Sequence, residues 1–184
     1  MINNFNRAQI WVETAIYTLI GLTIIAIILT IATPQIEKIQ ERQVITQTIT
    51  SLNELNNEIQ NVEQSAGNRK IIFLKITKGK LEINPSNNKI TYTLDNAKLE
   101  FSEPGKQIIE GDIIIQTDKF GNRYNIKLEL DYKTGPETIL DIKFKNDNIN
   151  VEILHSGATP YKLQLENKGI VNIGDPTIID ISLP

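Results

Sequence analysis

Apolar positions follow three successive patterns along the chain. The first is a run: Thr14 to Ala32 reads TAIYTLIGLTIIAIILTIA, nineteen residues without a charge, bounded by Glu13 before and by Pro34 and Glu37 after. A helix needs ~20 apolar residues to cross the ~30 Å hydrocarbon layer, so the run predicts a membrane span. Its many β-branched residues weaken a helix in water but not in lipid, where an unbonded backbone group costs more than a restricted rotamer. A secretory signal peptide has an apolar stretch of only ~7 to 15 residues with a small-residue cleavage site behind it, and it fits less well. Thr30-Ile31-Ala32 has the composition of a weak site of that kind.

The second pattern is a stripe. Ile36, Ile39, Ile45, Ile49, Leu52, Leu55, Ile59 and Val62 recur at spacings of three, four or six, with Glu, Gln, Lys, Arg, Asn and Thr between them. That is one apolar face of an amphipathic helix, with Gly67 and Asn68 as its stop. Pro34 has no amide donor and crowds the carbonyl four residues back, so it is expected to kink or interrupt the helix. A helix from Gln9 to Ala66 would be ~87 Å long at 1.5 Å per residue. Packing on the following domain is the first use expected for residues 45–62, and a bundle shared with neighbouring copies is the second.

From Arg69 the period shifts towards two. Strands are expected near 70–77, 80–84, 89–94, 97–102, 107–117, 123–132, 138–145, 149–155, 161–166 and 177–183. Between them lie turn formers such as Pro85-Ser86-Asn87-Asn88, Glu103-Pro104-Gly105 and Gly174-Asp175-Pro176. In Ile126-Lys127-Leu128-Glu129-Leu130 and Ile142-Lys143-Phe144-Lys145 the apolar and charged residues alternate, so one face packs and the other meets water. About ten short strands in ~115 residues favour an antiparallel sandwich or barrel. The expected fold class is therefore α+β: a long N-terminal helix, half transmembrane and half amphipathic, followed by an antiparallel β-sandwich head.

Composition narrows the function. The 22 acids and 19 bases are spread along the whole chain, so no basic face offers itself to nucleic acid. The absence of cysteine removes disulfides, thiolate nucleophiles and the commonest structural zinc sites. His155 is the single histidine, and no nucleophile elbow, phosphate loop, dinucleotide fingerprint or zinc helix occurs. Asp118, Asn122, Asp147 and Asn148 sit in turns without EF-hand spacing, so a turn role is expected of them instead of calcium binding. No catalytic residue, metal ligand or cofactor is expected, and the chain is read as a non-enzyme. Asn84-Pro85-Ser86 is the only glycosylation-like triplet, and its proline rules it out.

Glu13 still lacks a reason, since an acid near lipid is costly. Gln9-Ile10-Trp11-Val12-Glu13, preceded by MINNFNRA and followed at once by the apolar run, resembles the processing site of archaeal type IV pilin-like proteins, which include pilins and archaellins. Trp11 replaces the usual Ser of that motif, and Tyr17 stands where Leu is common. The resemblance implies a class III signal peptide whose leader, residues 1–8, is removed by a prepilin peptidase between Ala8 and Gln9, with Arg7 and Ala8 as the basic and small residues ahead of the cut. Gln9 would become the mature N-terminus and Glu13 its fifth residue. Residues four apart share a helix face, so the new α-amine and the Glu13 carboxylate can neutralise each other within a chain or between subunits.

The same resemblance divides the chain into a filament-core helix over 9–33, in which Thr14, Leu19, Gly21, Ile25, Leu29 and Ala32 face lipid and then neighbouring copies, an amphipathic helix over 34–66, and a head over 67–184. Pro160 to Gly169 is similar to strand-and-turn segments of immunoglobulin-like surface domains, including archaellin-like heads. The implied partners are the membrane, the prepilin peptidase, copies of the chain or related pilins, and the pilus assembly machinery. Arg7 makes the leader side the more positive, whereas Glu37, Lys38, Glu41 and Arg42 sum to zero, so the head is expected outside the cell. The expected function is a structural subunit of a surface filament serving cell adhesion. The alternatives are a minor pseudopilin or anchored surface protein that binds a partner through its head, then a plain single-pass protein, and last an anchored hydrolase.

Overall fold

A computed structural model describes residues 4–133 and 140–184, with side chains from Ile10 onward. One helix, α1 (Asn4–Glu63), opens the chain. Ten strands follow: β1 (Arg69–Leu74), β2 (Lys80–Asn84), β3 (Lys89–Ala97), β4 (Gln107–Glu110), β5 (Ile113–Phe120), β6 (Arg123–Asp131), β7 (Leu140–Phe144), β8 (Glu152–His155), β9 (Tyr161–Gly169) and β10 (Thr177–Ser182). The fold is α+β, a long helix followed by a sandwich-like β head.

Helix α1 runs without interruption through Pro34, which has no amide hydrogen to donate. The chain divides into two compact units, Met1–Gln40 and Glu41–Pro184. The division falls inside α1, so the helix from Glu41 onward belongs to the head, and the segment 34–40 does not.

Within the head, the strands form two sheets in the orders β1-β9-β10-β7 and β4-β5-β6-β3-β2-β8. Among the described residues every strand pairing but one is antiparallel. The exception is β7 alongside β10, which run parallel with Leu140 opposite Thr177. Ile45, Ile49, Leu52, Leu55, Ile59 and Val62 of α1 join the inward residues of both sheets in one continuous core. The expected alternation in β6 holds, with Ile126, Leu128 and Leu130 buried and Lys127 exposed. In β7 it ends one residue early, because Lys145 adopts a left-handed conformation (φ 50°).

Three expected boundaries shift, each for a local reason. The run 107–117 breaks into the hairpin β4–β5, because Gly111 (φ 62°) and Asp112 turn the chain so that Glu110 faces Ile113. The stretch 97–102 is not a strand beyond Ala97, since the amides of Lys98 and Leu99 are taken by a carboxylate from α1. Residues 149–151 are held by the side chain of Asp147, which accepts from the amides of Ile149 and Asn150, so β8 starts at Glu152. The first two residues of the expected strand 138–145 lie outside the described residues.

Helix α1 stops at Glu63, three residues before Ala66. Gly67 (φ 83°) then donates its amide to the Asn167 carbonyl at 2.8 Å, which turns the chain into β1.

Candidate functional site

The sequence directs attention to the N-terminal half of α1. Arg7, Ala8 and Gln9 fall in its first turns, and their side chains lie outside the described residues. From Ile10 to Ile31 the described side chains are exposed, Gly21 alone being half-buried; Trp11 is 80% accessible. Thr14, Leu19, Ile25 and Leu29 are among these exposed residues, and Ala32 is half-buried. A Cβ added at Gly21 would meet nothing within 4 Å, so the helix surface is open there to close approach by another helix. Glu13 stands on this exposed helix, one turn from Gln9.

The hydroxyls of this segment are satisfied within the helix. Thr14 donates to the Ile10 carbonyl at 2.9 Å, Thr18 to Thr14 at 2.8 Å, and Thr23 to Leu19 at 2.8 Å. Thr30 donates to Ala26 at 2.8 Å and Thr33 to Leu29 at 2.7 Å. Each threonine thus presents its methyl outward and hides its one donor, which lets a threonine-rich run enter hydrocarbon without unpaired polar atoms. By length and apolarity α1 can cross a membrane.

A second set of residues, which periodicity does not reveal, fixes the helix within the head. Glu41 is 4% exposed. Its Oε1 accepts from Lys78 Nζ at 2.9 Å, and its Oε2 accepts from the amides of Lys98 and Leu99 at 2.8 and 3.0 Å. Burial alone would push this carboxyl up, but the Lys78 ammonium and the two amides outweigh it and hold it below the ordinary carboxylate range. The same end of the head holds Tyr92, whose hydroxyl donates to the Lys78 carbonyl at 2.6 Å and whose burial pushes it up to about 12.

Farther along the helix, Asn56 donates to Asp112 at 2.7 Å and Glu58 pairs with Lys70. At the helix C-terminus Asn167 of β9, 2% exposed, donates to the carbonyls of Val62 and Glu63 at 3.1 and 2.8 Å. Its own Oδ1 accepts from the Gly169 amide at 2.7 Å. One side chain therefore caps two of the carbonyls that every helix leaves unpaired at its end.

The polar residues singled out in the head serve its turns and strand ends. His155 ends β8 opposite Lys80, and its carbonyl accepts the Tyr161 hydroxyl at 2.8 Å. Asp118 accepts from Gln116, and Asp147 organises its own turn through Ile149 and Asn150. Among the described residues no three potential ligands gather as a metal site. An open groove of about 310 Å³ between Val44, Thr48, Ser51, Lys75 and Thr77 brings together no acid and base. Glu41 and Asn167 could be found from sequence only as polar residues on or near an apolar stripe, and nothing in their spacing distinguishes them from solvent-facing neighbours.

No family model, curated protein or solved structure matches the chain.

Proposed function

We propose that the chain is a structural subunit of an archaeal type IV pilus-like surface filament. It would be cut between Ala8 and Gln9 by a prepilin peptidase and assembled through the segment from Gln9 to Ala32. The observation that carries this reading is the order of parts on one helix: Arg7, Ala8, Gln9 and Glu13 stand directly ahead of an uncharged span, and the same helix continues into the core of a β head. A plain anchor needs neither the acid at the start of the span nor a helix shared between lipid and head. A filament subunit uses both, the first to pair with a newly made amine and the second to carry the head on a polymerising core. The head faces outward, and the chain is held in the membrane until its span exchanges lipid for the spans of its neighbours.

Mass spectrometry of the mature chain tests the proposal. A chain that starts at Gln9 is expected; an intact Met1 or a start at Thr33 rejects it. Electron microscopy of surface filaments, with the subunit identified by mass, then separates a main subunit from a minor one.

A further inference from the structure

Between β9 and β10 the chain reads Ile170-Val171-Asn172-Ile173-Gly174-Asp175-Pro176, and its three apolar side chains stand in water outside the core. Val171 is 72% exposed and Ile173 entirely so. Single apolar residues are ordinary on a surface, but three within four positions at one loop tip make a patch. The tip is held in shape by its own polar groups. The Asn172 amide and Nδ2 both donate to Asp175 Oδ2, at 2.9 and 2.8 Å, and the Asp175 amide donates to the Asn172 carbonyl at 3.0 Å. A patch fixed beforehand loses little freedom when it is covered.

The open groove beside α1 is its counterpart on the same head. Val44, Thr48, Thr50 and Ser51 form the helix wall of that groove, and Lys75 and Thr77 form the other. Thr48 donates to the Val44 carbonyl at 2.8 Å and Thr50 to the Thr46 carbonyl at 3.2 Å, so these hydroxyls are satisfied within the helix and the wall needs no polar partner. At about 310 Å³ the groove has room for a small apolar group. Among the described residues Lys75 makes no ion pair.

Strand register puts tip and groove at opposite ends of the head. In the β1–β9 pair Glu166 faces Arg69 and Tyr161 faces Leu74. The tip therefore follows the end of β9 at which β1 begins, and Lys75 and Thr77 follow the end at which β1 stops. The helix agrees: Asn167 caps Val62 and Glu63, and Glu63 lies fifteen residues beyond Thr48, ~22 Å at the helical rise. The tip of a head has no access to its own groove.

We propose that the apolar tip of one copy, residues 170–173, seats in the groove between α1 and Lys75 of a second copy, head to tail. Charge favours a copy of the chain over lipid as the occupant. Asp175 brings a carboxylate to the tip, and Lys75 stands uncommitted in the groove. The cation nearest the tip in sequence, Lys168, is held by Glu166 at 3.0 Å, which leaves it no charge to spare for an anionic headgroup. The contact is heterologous: each copy keeps a groove at one end and a tip at the other, so the contact repeats from copy to copy. It rests on the reading that the chain assembles with its own copies, but it does not need the cut before Gln9.

The chain has no cysteine, so an engineered pair reports the contact directly. Ser51→Cys puts a thiol in the groove and Ile173→Cys puts one at the tip, both outside the core. The full chain carrying both is expressed in place of the native one and mildly oxidised. Its products are sized under denaturing, non-reducing conditions, and mass spectrometry reads the N-terminus of the same material. A ladder of disulfide-linked multimers is expected from the double variant and none from either single variant. Val171→Asp added to the pair should weaken the ladder at least tenfold, and Lys75→Glu up to about fivefold, while the urea midpoint stays in place. Chains that start at Gln9 and give no ladder overturn the contact and leave the filament reading standing. A ladder from chains with an intact Met1 does the reverse, and intact chains without a ladder overturn both. Multimers from Ile173→Cys alone, or quenching of a fluorophore on that cysteine by a lipid-borne quencher, assign the tip to a symmetric pair or to the bilayer and overturn the proposal.

Discussion

Glu41 and Asn167 are the two polar side chains on which the attachment of helix to sheets depends, and their substitutions have different signatures. The Glu41 carboxyl is held below its ordinary value of 4.5 in the folded head, so its stabilisation is complete above the unfolded value and lost as pH falls through the folded one. Glu63, raised by burial, has the opposite sign and is relieved by acid. Glu41→Gln keeps the volume but loses the charge: its one oxygen can still serve the Lys98 and Leu99 amides, but its NH2 group then faces the Lys78 ammonium, donor against donor. It should cost about 2 to 4 kcal/mol at pH 7 and less in acid, once the wild-type carboxyl is itself protonated, with faster amide exchange at Lys98 and Leu99. Urea unfolding of the full chain in detergent at the two pH values checks the first effect, and equal losses at both would contradict the charge account. At Asn167 an isosteric Asp replaces two donors by acceptors that face the carbonyls of Val62 and Glu63 at the negative end of the helix. Asn167→Asp is therefore expected to be worse than Asn167→Ala at pH 7, by about 1 to 2 kcal/mol, and to recover on acidification as the new carboxyl is protonated. The order of the two variants in urea midpoint decides it.

At the level of elements, the stripe that reads as one helix face from Ile36 to Val62 serves two environments. Ile45 and Leu52 are fully buried in the head, whereas Ile36 and Ile39 lie ahead of Glu41 and are 52% and 67% exposed. Leu52→Ala should cost about 2 to 5 kcal/mol of head stability through the cavity it leaves, and Ile39→Ala less than about 0.5. If Ile36 and Ile39 pack against neighbouring copies, their replacement lowers filament yield while the unfolding midpoint stays in place. The expected packing of residues 45–62 on the following domain holds, whereas the exposure of Ile36 and Ile39, on the same stripe, is not written in the spacing. The same limit explains the rest of what was and was not legible. Alternation in β6 and the uncharged run Thr14–Ala32 are local signals and survive into the structure. Glu41, Asn56 and Asn167 bond across 57, 56 and 105 residues of sequence, and no window over the chain contains both partners. The β4–β5 turn was missed because Gly111-Asp112 interrupts an apolar run by only two residues, the minimum a hairpin needs. The parallel β7–β10 pair was missed because pairing direction is set by the connection, which single-strand patterns do not encode.

For the whole molecule, if the chain assembles as proposed, the balance of forces at the apolar run sets what assembly would require. From Ile10 to Ile31 the apolar side chains are exposed around the helix, more than a chain in water tolerates without a covering. Lipid tails and the spans of other copies cover them about equally well, so moving from bilayer to filament core gains little from apolar burial. The threonine hydroxyls do not tip the balance, being bonded within their own helix in either setting. On the proposed reading, what would differ between the two settings is the charge that cleavage would make, an α-amine at Gln9 four residues from the Glu13 carboxylate. In such a filament a low dielectric would strengthen their attraction and make an unmatched charge expensive, so the pair would favour docked geometry over free diffusion in the bilayer. Glu13→Gln separates this from a mere anchoring role. If the run only anchors, removing an acid from its edge makes insertion easier and leaves surface display intact or improved. If the acid guides docking, membrane levels and cleavage at Gln9 stay normal while filament yield falls at least tenfold, equivalent to about 1.4 kcal/mol. Quantitative mass spectrometry of the membrane fraction beside sheared filaments measures both quantities in one preparation, and filaments at undiminished yield from a correctly cleaved variant would sink the docking role.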